Sequence, residues 1–371
     1  MYKGIRSIFN LPKKQCTACG ACNNICPNNS IDMLEDNEGF LYPHANKKKC
    51  LGCGKCEVSC PTLSKPRCQN QLKPKIYAAW SIDDEIHRES SSGGIFTELA
   101  RSILYEGGYV AGARYNKSHL VEHFIVDNEK DLSVLRQSKY IQSEIGQNFK
   151  AIKMLLDEDK SVMFVGTPCQ VAGLLSFLGR PYKKLLMCDL VCHGVNSPLV
   201  YRNYLKELEF TYGSKVKSIN FRDKSNGWKH FGTRIIFENN TEYYREQRTE
   251  PFYRGFIKNL YLRPSCYECQ YKTFPRHSDI TLADFWGIEF ANKNFYIDNG
   301  VSLIMIHSKK GQKYFDNLGS RIFNQEHSLE AALSGNPSII CPSKVAENKR
   351  QDFFDIIGKG KKISTAIENL I

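Results

Sequence analysis

From about residue 76 onward, segments with the apolar pattern of strands alternate with segments whose apolar residues have helical spacing. Short apolar runs typical of buried strands occur at 76–81, 109–115, 121–126, 161–166, 184–191, 280–283 and 301–307. Runs with helical spacing lie between them, at 90–106, 146–157, 171–178 and 197–210. In the first of these helices, Ile95, Leu99 and Ile103 share one face. Strands and hairpins are expected at 215–244, and helices after 307. This alternation predicts an α/β body with a central, mixed sheet.

Two copies of one cysteine pattern precede this body. The spacing C-x2-C-x2-C-x3-C-P runs from Cys16 to Pro27 and again from Cys50 to Pro61. It is the ligand run of bacterial two-cluster ferredoxins, in which the fourth cysteine of each run ligates the other cluster. Between the runs, residues 31–43 predict a short hairpin with its turn at 36–39. The expected ligands are Cys16, Cys19, Cys22 and Cys60 for one [4Fe–4S] cluster, and Cys50, Cys53, Cys56 and Cys26 for the other.

Zinc and disulfides are the alternative uses of these cysteines. Structural zinc sites use paired C-x2-C knuckles rather than triple runs followed by C-P. Disulfides suit small secreted domains, and the N-terminal segment has no long apolar stretch of signal-peptide type. No apolar run is long enough to span a bilayer. We therefore expect a cytoplasmic protein without a transmembrane segment, through which electrons move one at a time.

The net charge narrows the choice of partners. The 371 residues include 15 cysteines and carry a formal net charge of +12. Lysines and arginines are scattered in short runs and no nucleic-acid motif accompanies them, so nucleic acid is not an expected partner. Anionic cofactors, acidic substrates or an acidic electron carrier fit the charge, and so does a merely solvated basic surface.

Four later cysteines form a second candidate site. Cys169 follows one predicted buried strand, Cys192 follows the next, and Cys266 and Cys269 form a C-x2-C pair. If the two strands are parallel, Cys169 and Cys192 lie at one edge of the sheet, where ligand sites of α/β proteins gather. The four can hold a third [4Fe–4S] cluster, which we favour beside a ferredoxin, or a zinc ion. Buried cysteines without a ligand are the remaining alternative.

A flavin-sized site would let single electrons meet hydride chemistry. The chain has no GxGxxG motif, but residues 91–94 read Ser-Ser-Gly-Gly at the start of a predicted helix, where backbone N–H groups and the helix dipole suit a phosphate. An ordinary helix cap explains these residues too. Residues 138–140, Ser-Lys-Tyr, offer a cation and a phenol, although a surface tripeptide is equally ordinary. His193 can transfer protons near neutral pH or serve only in packing.

These motifs follow each other in one order. They are Ser92-Gly93-Gly94, Ser138-Lys139-Tyr140, Gly166-Thr167-Pro168-Cys169-Gln170-Val171-Ala172-Gly173, Cys192-His193-Gly194, the Cys266/Cys269 pair and Ala283-Asp284-Phe285-Trp286-Gly287. Each motif is weak alone, but the ordered set is specific. From about residue 76 to 345 the chain resembles the beta subunit family of coenzyme F420 hydrogenases and dehydrogenases, in which an N-terminal ferredoxin is a common fusion.

The resemblance implies an FAD-binding α/β body whose own [4Fe–4S] cluster is held by Cys169, Cys192, Cys266 and Cys269. It also implies that Ser92, Gly93, Gly94 and Lys139 lie near the FAD. The expected cofactor contacts are Ser91, Ser92, Gly93, Gly94, Ser138, Lys139, Tyr140, Thr167, Pro168 and Gln170. The expected catalytic residues are Lys139 and His193. The expected partners are a redox protein, either a ferredoxin or a hydrogenase or dehydrogenase subunit, and an anionic small-molecule substrate.

The predicted function is that of an iron–sulfur flavoprotein oxidoreductase. Electrons would pass between the clusters and a hydride-accepting or hydride-donating substrate, such as coenzyme F420, through FAD. The alternative is a non-catalytic electron-transfer subunit that wires a partner enzyme and binds no flavin. The predicted fold is an α+β ferredoxin-like module fused to the α/β body. The expected segments are a two-cluster ferredoxin domain at 1–65, the flavin domain at 66–180 and 181–345, the latter with the C-x2-C cluster site, and a helical tail at 346–371.

Overall fold

The computed structural model describes residues 8–68, 70, 73–291 and 298–371. Residues 1–7, on which the expectation about a signal peptide partly rests, lie outside these ranges. Residues 69, 71 and 72, which follow the second cysteine run, also lie outside them. The described N-terminal part contains a hairpin between two short helices. Its elements are α1 (Ala21–Ile25), β1 (Ile31–Glu35), β2 (Leu41–Ala45) and α2 (Lys55–Val58).

The predicted hairpin is confirmed. β1 and β2 pair antiparallel, with Ile31 opposite Ala45. The turn closes because Asp36 Oδ1 accepts hydrogen bonds from the backbone N–H groups of Glu38 and Phe40, both at 3.0 Å. The ferredoxin-like fold of the whole module stays a prediction.

The body follows with alternating strands and helices. Its described strands are β3 (Lys75–Ser81), β4 (Tyr109–Tyr115), β5 (Val121–Val126), β6 (Val162–Gly166), β7 (Leu185–Leu190), β8 (Val216–Asp223), β9 (Gly232–Phe237), β10 (Glu242–Glu246), β11 (Ile280–Asp284), β12 (Ser302–Ile306) and β13 (Ile322–His327). Its described helices are α3 (Asp84–Glu89), α4 (Ile95–Tyr105), α5 (Asn148–Asp157), α6 (Pro168–Leu178), α7 (Pro198–Tyr212), α8 (Pro251–Ile257), α9 (Pro264–Tyr267), α10 (Ile288–Ala291), α11 (Lys309–Asp316), α12 (Leu329–Gly335), α13 (Glu347–Gly358) and α14 (Ile363–Leu370). No helix in these ranges is both long and apolar enough to cross a membrane.

The large sheet is mixed, as predicted. Its strand order is β13-β3-β12-β11-β7-β6-β4-β5. The four central strands β11, β7, β6 and β4 are parallel neighbours. The flanking pairs are antiparallel. A smaller antiparallel sheet has the order β10-β9-β8. Because β6 and β7 are parallel, the segments that follow them start at one edge of the sheet, as the placement of Cys169 and Cys192 requires.

Alternate residues of β6 pack on opposite faces of the large sheet. Met163 and Val165 belong to the same buried cluster as Leu99 of α4. Val162 and Phe164 belong to the cluster that α5 and α6 form on the other face. Cys19 and Ala21 of the N-terminal module lie in this second cluster. The module is therefore part of the core packing on one side of the sheet.

Three differences from the predicted elements affect the site. Helix α4 begins at Ile95 rather than at residue 90, because Gly94 adopts a positive φ of 85° that ends the preceding loop. Helix α6 begins at Pro168, three residues earlier than predicted, so Cys169 lies in its first turn. The apolar pattern does not predict strand β13, because exposed polar positions at the sheet edge weaken it there.

The hairpin turn of the module presses against the start of α7. A Cβ atom on Gly39 would lie 2.5 Å from the backbone N of Leu199. Ser197 donates a hydrogen bond to the Glu38 carbonyl. On the surface, Arg202 of α7 pairs with Glu35 at 2.6 Å. The turn and α7 thus meet through backbone contact and polar bonds.

Candidate functional site

One large cavity lies along the carboxyl edge of the parallel strands. Its volume is about 800 Å³, in the upper part of the range for cofactor pockets. The loop before α4 lines one part of it, and the segment 135–143 lies beside that loop. The first turn of α6 and the segment that follows β7 line another part. The topology therefore brings both candidate sites of the sequence to one space.

The second cysteine set meets in this cavity. Cys169, Cys192, Cys266 and Cys269 all line it, and their thiols lie close enough to influence each other's pKa. Burial is the main cause of the shifts, and it raises the pKa of Cys169 to about 12 and that of Cys266 to about 11. Burial also raises the pKa of Cys192 well above its usual value. As thiolates, these four side chains would need a compensating positive group among them, which the iron of a cluster would supply.

Two cations stand beside these thiols. Arg263 and Lys272 line the same cavity, and each opposes the upward pKa shift of Cys266. Among the described residues, no three His, Cys, Asp or Glu side chains converge on a point that would suit a single metal ion. The four thiolates around a four-iron cube lie farther apart than the four around a single zinc ion, to which each sulfur is bonded at about 2.3 Å. The donor set fits a cluster with a net negative charge.

The first cysteine set surrounds a small enclosed space. Cys16, Cys19, Cys22 and Cys60 line it together. In the other set, the Cys26 and Cys50 thiols lie close enough to affect the pKa of Cys56. Burial would raise the pKa of Cys26, but its hydrogen bonds with Ser30 hold that pKa below the usual value. The structure thus brings each fourth cysteine to the opposite run, in the arrangement predicted for interlocked ligation.

Arg263 links the cysteine set that contains Cys16, in the N-terminal module, to the set that contains Cys266, in the cavity. Its guanidinium is 1% exposed. Nε donates to the Cys16 carbonyl and Nη2 to the Leu41 carbonyl, both at 2.9 Å. Nη1 donates to Gln142 Oε1 at 2.8 Å. Arg263 also directly precedes α9, which carries Cys266, so one side chain fixes the module against the second cysteine set.

Helix α6 forms a second link between the two sets. Gly173 lies one turn after Cys169 and therefore on the same helix face. A Cβ atom on Gly173 would lie 2.7 Å from Cys19 Cβ and 2.9 Å from its sulfur. Tyr271 lies beside both of these sets. Burial raises the pKa of Tyr271, and the nearby thiols of Cys19 and Cys169 add to that upward shift.

The Ser-Ser-Gly-Gly loop is placed at the cavity, but its members differ. Ser91, Ser92 and Gly94 line the space, and no side chain caps α4 there. Ser91 Oγ accepts a hydrogen bond from the backbone N–H of Ser138 at 2.8 Å. Ser92 Oγ donates to the Val301 carbonyl at 2.9 Å. Gly93 lies behind the wall, where a Cβ atom would approach the Ala79 carbonyl to 2.4 Å. The glycine there permits close packing against β3.

Lys139 is a half-buried cation without a carboxylate partner among the described residues. Nζ donates to the carbonyls of Arg136 at 2.6 Å and Gln137 at 3.3 Å. Burial lowers the pKa of Lys139 to about 7. Tyr140 also lines the cavity, and burial raises its pKa. An anion in the cavity would find at Lys139 a partly desolvated amine that gains a proton more readily once the anion is bound.

The other predicted site residues lie at the cysteine end. Thr167, Pro168, Gln170 and His193 all line the cavity. Gln170 Oε1 accepts from the Thr167 N–H at 2.9 Å and fixes the start of α6. His193 Nε2 hydrogen-bonds Asn259 Oδ1 at 2.6 Å, and burial lowers the pKa of His193. The roles of these residues stay predictions.

Sequence reasoning did not find the other cations of the cavity wall, although the motif at 283–287 contains Asp284 and Trp286. Arg222 is buried and forms a two-pronged pair with Asp284 at 2.9 and 3.0 Å. Trp228 Nε1 donates to the same carboxylate at 2.9 Å. Trp286 lines the cavity and stacks on Trp228 with ring centres 4.5 Å apart. The signal that could have found Arg263 and Lys272 is their position on either side of the C-x2-C pair, since positive residues there suit an anionic cluster.

These features define first a class, the iron–sulfur electron-transfer proteins. Residues 15–63 match the family model described as 4Fe-4S dicluster domain. Residues 159–330 match the family model that describes the C terminus of the coenzyme F420 hydrogenase/dehydrogenase beta subunit. The resemblance seen in the sequence is thereby confirmed over these two regions of the chain.

A solved structure is similar to this chain over most of its length. It is a chain of the F420-reducing [NiFe] hydrogenase complex from Methanosarcina barkeri, solved with xenon, at 17% identity and a TM-score of 0.49. The similarity covers 79% of this chain and 96% of that chain. No curated protein matches this chain.

Proposed function

We propose that this protein is an iron–sulfur flavoprotein oxidoreductase. Electrons pass singly between the N-terminal clusters, a third [4Fe–4S] cluster and FAD, and a substrate exchanges a hydride at the FAD. The observation that carries the proposal is the single cavity that holds the second cysteine set and also reaches the uncapped start of α4 and Lys139.

The charge of the cavity wall fits FAD. The lining includes five cationic side chains, Arg136, Lys139, Arg222, Arg263 and Lys272, and one carboxylate, Asp284. Asp284 is already paired with Arg222, so the wall has an excess of positive charge in a low-dielectric space. The pyrophosphate of FAD would offset this excess near Lys139 and the N-terminus of α4.

The aromatic groups of the wall suit a planar ring. Trp286 is held in place by its stack on Trp228, and Tyr253 and Phe256 line the same cavity. These side chains exclude water from the region between the two ends of the site. When bound, the flavin supplies the step between one-electron and two-electron chemistry.

The residues of the chain position the reactants. Lys139 binds an anionic group, because a desolvated cation gains most from a nearby negative charge. Asn259 orients the ring of His193 through the bond to Nε2. Arg263 and Lys272 balance the charge of the third cluster. The substrate we propose is an anionic hydride carrier, and coenzyme F420, which the family description names, is the first to test.

Anaerobic purification followed by absorption spectroscopy and iron analysis tests the proposal. The expected result is flavin bands together with about twelve iron atoms per chain, from three four-iron clusters. A protein with about eight iron atoms and no flavin would instead be a non-catalytic electron wire. A stopped-flow panel of reduced coenzyme F420, NADH and NADPH under anoxia then identifies the hydride carrier.

Paired cysteine variants test the third cluster separately. Cys266→Ser/Cys269→Ser should lose about four iron atoms per chain and keep the other eight. The matched control is Cys68→Ser/Cys341→Ser, which changes two cysteines outside all three predicted ligand sets and should keep all of its iron. Full iron content in the first variant would remove the third cluster from the proposal.

A further inference from the structure

The loop of the second cysteine run faces solvent. Cys50 and Cys53 are exposed, and Gly54 has open space where a Cβ atom would stand. Two apolar side chains beside these cysteines are also exposed, Leu51 at 65% and Val58 at 73%. An exposed pair of large apolar groups beside a redox centre points to a surface that a partner covers.

Exposed lysines lie close in sequence to these two apolar residues. Lys47, Lys48, Lys49 and Lys55 are all exposed. None of them forms an ion pair with a described carboxylate. Between residues 47 and 58 the sequence has four lysines and a single acid, Glu57. We call the six residues Lys47, Lys48, Lys49, Leu51, Lys55 and Val58 the outer face.

We propose that the outer face is the docking surface for a small acidic protein that carries a one-electron redox centre. The inference rests on the proposed function, because it concerns the point at which electrons enter or leave the chain. In each transfer one electron moves between the carrier and the cluster behind the outer face. One centre is oxidised, the other is reduced, and no atom is exchanged.

The arrangement matches the requirements of a transient electron-transfer contact. A small apolar centre with a charged rim gives short-lived complexes whose orientation is set by charge. Unpaired lysines around the centre attract an acidic partner and raise its association rate at low salt. The first cysteine run is less accessible, since Cys19 and Ala21 are buried against the body. The second run, with Cys50 and Cys53 exposed, is the more open point of approach for a carrier.

The test is the binding of an acidic plant-type [2Fe–2S] ferredoxin to the iron-loaded protein. Both proteins are kept oxidised, so that binding is measured without electron transfer. The charge-reversal variant is Lys47→Glu/Lys48→Glu/Lys55→Glu. The control, Lys359→Glu/Lys361→Glu/Lys362→Glu, makes the same change in net charge on the exposed C-terminal run. We expect calorimetry at low salt to show affinity about tenfold weaker for the first variant and little change for the control. Salt should weaken binding to the unmodified protein.

A second measurement separates this inference from the proposed function. Reduction by excess dithionite needs no docking, so the final extent of reduction and the iron content should be equal in both variants and in the unmodified protein. Reduction by reduced ferredoxin should slow in the outer-face variant alone. Equal ferredoxin binding in both variants would overturn the docking surface and leave the proposed function standing. A loss of self-association in the outer-face variant, seen by light scattering, would also overturn it, because the face would then contact a second copy of the chain.

Discussion

The two cysteine runs share one spacing but lie in opposite surroundings. The first run packs against α6, with Cys19 in the hydrophobic cluster of the body. In the second run Cys50 and Cys53 are exposed, and Leu51 between them is 65% exposed. Identical ligand patterns thus have different neighbours, and the body decides which run faces inward.

This difference distinguishes the two predicted clusters, because one faces the body and the other faces solvent. The inner run lies beside Arg263 and Cys169, and so beside the cavity. The outer run has lysines and solvent around it. On the proposed function, the outer run would exchange electrons with a carrier and the inner run with the body. Four substitutions test the contacts between the module and the body and the cavity beside the inner run, from the largest expected effect to the smallest.

Arg263→Met should have the largest effect. It removes a buried charge that donates to the Cys16 carbonyl, the Leu41 carbonyl and Gln142. We expect the free energy of unfolding to fall by about 3–5 kcal/mol, because the acceptors stay buried without their donor. Urea unfolding of the iron-loaded protein under anoxia measures the loss. Arg263→Lys keeps the charge and should recover part of it, and a loss below about 1 kcal/mol in Arg263→Met would show that the inner contact is weak.

Gly173→Ala should come next. The added methyl group would lie 2.7 Å from Cys19 Cβ, so α6 and the inner run must move apart, at a cost of about 1–3 kcal/mol. The control is Gly358→Ala, where a Cβ atom meets nothing within 4 Å. That variant should gain up to about 1 kcal/mol, because alanine favours a helix over glycine. Equal midpoints of unfolding for the two variants would contradict the close packing of the inner run.

Lys139→Met should change the pH dependence of FAD binding. The pKa of Lys139 is lowered to about 7 by burial, so the amine is a cation below pH 7 and becomes neutral as the pH rises through 7. A bound anion raises that pKa, and FAD affinity should therefore fall between pH 7 and 9. Fluorescence titration of flavin-free protein should show affinity about tenfold weaker at pH 6.5 in the variant. The variant should also lose the pH slope, and an unchanged slope would remove Lys139 from the anion site.

Arg202→Met should have the smallest effect. This arginine also joins the module to the body, through Glu35 at 2.6 Å, but both side chains are partly exposed. The expected loss is below about 1 kcal/mol, because solvent screens the pair. The same urea titration measures it. A loss as large as that of Arg263→Met would mean that burial does not separate the two contacts.

The sequence predicted the parts of the molecule that depend on local spacing. The hairpin at 31–45 and the strands β4 and β5 were predicted within two residues, because alternation and turn residues are local signals. The meeting of Cys169 and Cys192 followed from the parallel order of β6 and β7. Edge strand β13 gave no such signal.

The side chains that close the site could not be predicted in this way. Arg222 and Asp284 belong to different sheets, and only the folded chain brings them within 2.9 Å. Arg263 contacts Cys16 and Gln142 across long stretches of sequence. Gly93 was expected at the cofactor, but its place behind the wall depends on β3 and β12, which pack there. Tertiary packing, rather than local pattern, decides the positions of Arg222, Asp284, Arg263 and Gly93.

The contact between Gly39 and Leu199 limits the exchange of parts between proteins of this kind. In sequence the module reads as a separable unit that could be replaced by any two-cluster ferredoxin. Yet any side chain at the tip of its hairpin would strike the backbone of α7, which has no rotamer with which to move aside. A transplanted ferredoxin would therefore need glycine at that position. A single residue thus restricts which ferredoxin modules can be joined to this body.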